Sequence, residues 1–151
     1  KNVLLSSCLD AKENRRKARV CAVQQAYARE MRGVLVPGPD EPGTESPESG
    51  ETPPFARDLL EATLGRIAEI DGLLQSALLN WDLRRLGAVD RAILRVAVAE
   101  MLTRPDIPAA VTINEAIEIA RSLASTESAR FANGVLDRVR QQIGRDARGV
   151  A

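Results

Sequence analysis

The chain has no histidine, one tryptophan, one tyrosine, two phenylalanines and two cysteines in 151 residues. Without histidine, serine–histidine and cysteine–histidine catalysis and the usual proton carrier near neutral pH are excluded. Cys8 and Cys21 form no CxxC pair, so neither a zinc cluster nor a disulfide framework is indicated, and a reducing, cytoplasmic setting is expected. No stretch approaches the roughly 18 consecutive apolar residues of a membrane span, and Val3-Leu4-Leu5 is too short for a signal peptide. No metal, cofactor, catalytic residue or membrane partner is therefore expected. With 3% aromatic residues the core must be built from Leu, Ile, Val and Ala, which favours packed helices, so the fold class reads as all-α with no sheet. The balance of 21 basic and 21 acidic residues, taken alone, argues against a nucleic-acid binder.

That balance hides a strong local asymmetry. Residues 1–32 carry eight basic against three acidic groups, a net of +5, while residues 33–54 carry five acids and no Lys or Arg. The acidic stretch also holds six of the eight prolines, a composition with little to bury that is expected to stay disordered. The remainder, 55–151, is neutral.

Helical spacing organises the rest. From Asn14 to about Met31, Ala18, Ala22 and Ala26 recur every four residues, flanked by Val20, Val23 and Tyr27, with Arg15, Arg16, Lys17 and Arg19 opening the polar face. Leu60, Leu64, Ile67, Ile70 and Leu74 continue the pattern; a break at Asp71-Gly72 and a second short helix ending near Trp81 are expected. Val89–Leu102 is apolar around most of its circumference, the mark of a central helix. Pro105 and Pro108 interrupt it, and Thr112-Ile-Asn-Glu115 offers a capping box for a helix with Ile113, Ala116, Ile117, Ala120 and Leu123 inward. A last helix follows Ser125 with Phe131, Val135 and Val139 inward; Gly134, in its middle, points to a close helix–helix approach.

Four blocks in order, R-R-K-A-R-V-C-A-V-Q-Q-A-Y (Arg15 to Tyr27), D-R-A-I-L-R-V-A-V-A-E-M (Asp90 to Met101), I-N-E-A-I-E-I-A (Ile113 to Ala120) and F-A-N-G-V-L-D (Phe131 to Asp137), resemble the transcription antitermination factor NusB family. The resemblance implies two small helical bundles with about six to seven helices. The resulting division is a flexible leader at 1–13 and one domain at 14–151. Within it lie a basic first helix (14–32), the acidic linker (33–54), the rest of the N-terminal subdomain (55–87), a C-terminal subdomain (88–142) and a frayed tail (143–151). It further implies an RNA-binding, non-enzymatic factor that binds boxA RNA of ribosomal RNA transcripts with NusE, a small-subunit ribosomal protein. Such a factor joins the RNA polymerase antitermination complex and suppresses termination. An RNA methyltransferase carrying a similar domain and a helical protein-interaction module are the competing classes. Monomer and homodimer both stay open.

The resemblance places RNA at Arg15, Arg16, Lys17 and Arg19, where guanidinium groups a turn apart bridge phosphates and stack on unpaired bases. Four such contacts would give a log–log salt slope near about −3. Tyr27 aligns near the same RNA surface, as a stacking ring or as packing beside Val23. Phe131 also aligns there, although its spacing with Val135 favours the core. Glu127 stands where the family often has an RNA-modulating aspartate, acting on a base or screening arginines. The NusE surface maps to Asp90 and to Trp81, Arg84 and Arg85. Asp90 has a second reading as a cap at a helix start, and Trp81 is read as filler between the subdomains, with an interface anchor as the alternative.

Residues 33–54 depart from the family, which has a helix there that the prolines forbid. Tethered beside the basic helix, this acidic segment is expected to compete with RNA for the arginines. Deleting 38–54 should therefore tighten binding of unrelated RNA at low salt; unchanged affinity in a filter-binding titration would exclude that role.

Overall fold

The computed structural model describes residues 3–35 and 53–144, those before Asn14 by backbone alone. Among them are six α-helices: α1 (Val3–Met31), α2 (Pro54–Gly65), α3 (Ile67–Ala77), α4 (Ala88–Thr103), α5 (Ala109–Leu123) and α6 (Thr126–Gln142). A single 3-10 turn, Leu83–Arg85, precedes α4, and no strand occurs among the described residues.

α1 starts at Val3, well before the expected Asn14, so most of the expected leader continues the helix. Neither Pro nor Gly interrupts residues 3–31, and the segment is rich in Leu, Ala, Arg and Gln, which are good helix formers. The helix stops at Gly33, whose φ of 74° is costly for other residues. Gly33 N–H donates to Glu30 C=O at 3.0 Å and Val34 N–H to Arg29 C=O at 2.8 Å, a Schellman closure. The acidic linker lies outside the described residues over 36–52, as do the tail residues 145–151. Ile143 is not frayed: it donates to Val139 C=O at 3.0 Å and packs against the core.

α2 opens with Pro54 in its first turn, where a missing N–H costs nothing. The break into α3 falls at Gly65-Arg66 and not at Asp71-Gly72. Arg66 takes a non-helical φ of −120° between the two helices, whereas Asp71 stays helical because its carboxylate receives Arg95 from α4. α3 ends at Ala77, short of Trp81. Its Ile70 and Leu74 are fully buried, each contributing about 1.5–3 kcal/mol.

α4 is the centre. Ten consecutive residues, Ala92–Met101, are buried, as its all-round apolar pattern requires. It packs on each of the other five helices, and one apolar cluster joins all six. α3 thus sides with the C-terminal helices, a different division from the expected 55–87 grouping. Arg138 of α6 reinforces this by donating to the Ala77 C=O at 2.8 Å, a cation at the carbonyl end of α3.

α5 begins at Ala109 with Pro108 as its N-cap, four residues earlier than a Thr112–Glu115 capping box would place it, and Thr112 and Glu115 lie inside the helix. Ile119 joins Ile113, Ala116 and Ala120 in the core, while Leu123 is exposed. Ser125 caps α6 through a 3.0 Å bond from Ser128 N–H. Gly134 is helical, but the expected close approach is absent: a Cβ there would meet only Arg138 Nη1, at 3.8 Å. Gly134→Ala should therefore raise stability by up to about 1 kcal/mol, read as a thermal midpoint higher by about 3 °C.

Candidate nucleic-acid interface

The basic helix divides by burial. Arg15, Arg16 and Lys17 are exposed, but Arg19 keeps only 5% of its surface. Arg19 donates from Nε and Nη2 to the two carboxylate oxygens of Glu100 at 2.7 and 3.0 Å, and Glu100 also accepts from the Thr112 hydroxyl. The expected placement of Arg19 on the RNA-facing surface is thus corrected: it lies on the Ala18–Ala22–Val23 side of α1, against α4. The bidentate fork satisfies a charge that could not be buried alone. Glu115 likewise accepts from Arg16, at 2.7 and 3.1 Å, rather than capping α5.

A second cation appears beside this end. Arg104, following α4, donates to both carboxylate oxygens of Asp106 at 3.2 Å. These hydrogen bonds hold the Asp106 carboxyl below its usual value, and the nearby Arg15 adds to the pull, so Asp106 stays ionised at neutral pH. The guanidinium carbons of Arg15, Arg19 and Arg104 lie 5.4, 5.3 and 5.0 Å from the centroid of Phe55, at the start of α2. Each is within cation–π range. Neither Phe55 nor Arg104 was legible as a site residue, since the cluster is gathered from three separate parts of the chain.

The other site residues lie elsewhere. Arg19 reaches Glu100 late in α4, whereas Glu30 accepts from Arg91 near its start at 2.7 Å, so α1 and α4 run antiparallel. Tyr27 is twelve residues beyond Arg15, about 18 Å along the axis, and sits with Glu30 at the start of α4, apart from the arginine end. It is partly exposed. Asp90 stands in the first turn of α4 at the same end. It makes no capping hydrogen bond, which corrects the cap reading; Gly87 is the cap residue, and the carboxylate still favours the helix dipole.

Arg91 anchors the preceding turn through the Leu86 and Arg84 carbonyls. Arg84 and Arg85 are exposed, and Arg84 pairs with Asp82 at 3.1 Å, whose carboxyl its hydrogen bond lowers below the usual value. Trp81 is not filler: it is 59% exposed beside Leu79, 72% exposed, at an open groove of about 680 Å³. Gln75 holds this loop, donating to Trp81 C=O at 2.7 Å and accepting from Leu83 N–H at 3.0 Å. Glu127 is exposed in the first turn of α6, and Phe131 is half-buried against the core. No helix among the described residues is long and apolar enough to cross a membrane.

Comparison with known proteins agrees with this architecture. The NusB family model matches residues 16–141. The transcription antitermination protein NusB of Bacillus mycoides (strain KBAB4) is 42% identical over 129 residues, 85% of this chain and 98% of that protein. The crystal form 2 structure of T. maritima NusB superposes with a TM-score of 0.69 at 33% identity, covering 85% of this chain and 91% of that one. The chain from a crystal structure of antitermination factors NusB and NusE in complex with dsRNA shares the fold, with a TM-score of 0.67 at 23% identity over 85% of this chain and 96% of that one.

Glu100→Ala strands Arg19 as a buried charge and should cost about 3–5 kcal/mol. The neutral pair Arg19→Met with Glu100→Gln, which keeps an acceptor for Thr112, should cost less than Glu100→Ala alone in urea unfolding.

Proposed function

This chain belongs to the NusB family, and from that premise we propose that it is an RNA-binding transcription antitermination factor. With NusE it binds boxA RNA in ribosomal RNA transcripts, joins the RNA polymerase antitermination complex and suppresses termination. It acts by binding and not by catalysis. The observation that carries the RNA assignment is the exposed Arg15–Arg16–Lys17 run on a helix that Arg19, one helical turn after Arg15, locks to the core. Long cationic side chains on a fixed backbone meet successive phosphates with little backbone ordering cost. Arg19 serves this surface from inside by fixing the rotation of α1 on α4.

The NusE side is assigned to the opposite end of α4. Asp90, Arg84, Arg85 and the exposed Trp81 offer charges around an apolar ring, the composition of a binding anchor with a polar rim. Tyr27, about 18 Å along α1 from Arg15, is kept as an RNA-side residue on family grounds, its packing beside Val23 being the other reading. Glu127 and Phe131 are kept as RNA-side residues on family grounds, Glu127 as a screening charge and Phe131 as support from the core.

Binding of boxA-containing and scrambled RNA, measured with and without NusE across salt, tests the reading. Preference for boxA that sharpens with NusE is the expected result. With Arg19 buried, the α1 run of Arg15, Arg16 and Lys17 offers three phosphate contacts, which contribute about −2 to the log–log slope of the protein alone. Equal binding of both RNAs in all conditions would falsify the assignment.

A further inference from the structure

Arg104 is set up unlike the other surface cations. It lies outside the basic run of α1, in the α4–α5 loop, and is half-buried over Phe55. The same ring faces Arg15, so one aromatic side chain holds guanidiniums from two separate segments at 5.4 and 5.0 Å on the side where α1 begins its exposed cationic run. Arg104 is restrained on its flanks by acids. Asp106 engages it directly at 3.2 Å, while Asp58 of α2 and the buried Glu100 act on it through space. Glu100 is committed to Arg19 and Thr112. Asp106 is the exposed partner, with 57% of its side-chain surface in solvent and both oxygens spent on one guanidinium.

A carboxylate held two residues away on the same loop is a local stand-in for an incoming anion. It presents two oxygens to the guanidinium fork, as a phosphate does. Exchanging an exposed carboxylate for a phosphate costs little, because a solvent-exposed pair is worth only about 0–1 kcal/mol. We propose that Arg104 is a further RNA-phosphate contact, continuous with Arg15 across the Phe55 ring, and that Asp106 is its competing counter-charge, displaced when RNA binds. The inference rests on the RNA-binding reading above. It extends the surface from one helix to a second segment that its sequence position does not associate with the first.

The device has a discriminating consequence. Asp106 weakens RNA binding through Arg104, so its effect must vanish when Arg104 loses its charge. Binding of the boxA-containing RNA is measured across salt for the full chain and for Asp106→Asn, Arg104→Gln, Arg104→Lys and the Arg104→Gln/Asp106→Asn double variant. Thermal midpoints are taken in parallel. Asp106→Asn should tighten binding about threefold at low salt. Arg104→Gln should weaken it and reduce the magnitude of the salt slope by about 0.7, with Arg104→Lys retaining the slope. In the Arg104→Gln background, Asp106→Asn should change little. If the unaltered chain binds and Arg104→Gln leaves affinity and slope unchanged, the Arg104 contact is overturned while the RNA reading stands. An equal gain from Asp106→Asn in both backgrounds overturns the counter-charge role. No binding by the unaltered chain overturns the RNA reading and this inference together.

Discussion

The pair between Arg19 and Glu100 is the constraint around which the remaining geometry is arranged. It joins α1 to α4 in a water-poor position, and through the Thr112 hydroxyl it draws in α5. An isolated charge there would be prohibitive, so the two groups must meet in one geometry or the helices cannot close. A purely apolar seam of Ala18, Ala22 and Ala26 would allow α1 to slide or rotate over α4 with modest loss. The bidentate fork removes that freedom. Its consequence at the surface is that Arg15, one turn before Arg19, is held over Phe55 beside Arg104, and Arg16 beside Glu115 of α5.

The same antiparallel seam is clamped again at its far end. Glu30 meets Arg91 and Arg95, and Asp71 of α3 meets Arg95. Two ionic clamps about three helical turns apart on α1 therefore fix its register. They also separate two surfaces that sequence proximity would merge. The arginine end of α1 adjoins the α4–α5 loop with Arg104 and Phe55, and the tyrosine end adjoins Asp90, the Leu83–Arg85 turn and exposed Trp81.

Helical class, the central position of α4 and the Ser125 cap were legible because each depends on local chemistry or on a periodic apolar pattern. Two of the misplacements share one cause. Thr112 and Glu115 have the spacing of a capping box, and Asp71-Gly72 has the look of a breaker, but both acids found arginines on other helices. A hydrogen bond to a guanidinium from elsewhere in the chain outweighs the weaker local option. Gly134 erred in the other direction: its helical position invited a packing explanation, yet a Cβ there would meet only the Arg138 guanidinium, at ordinary contact distance. Trp81 was read as filler between the subdomains, and the Gln75 clamp instead holds its loop outward, leaving the ring exposed.

Composition and periodicity were enough to establish an all-helical chain with a basic first helix beside an acidic, proline-rich segment, and the ordered sequence blocks were enough to point to its family. Those properties are local or compositional, so they survive without knowledge of the packing. Which arginines face solvent was decided only by the folded arrangement. Arg15, Arg16, Lys17 and Arg19 are nearly indistinguishable along the chain, and Arg15 and Arg19, one turn apart, even share a face of the helix; the position of one acid, Glu100, 81 residues away, determines that Arg19 is the one buried.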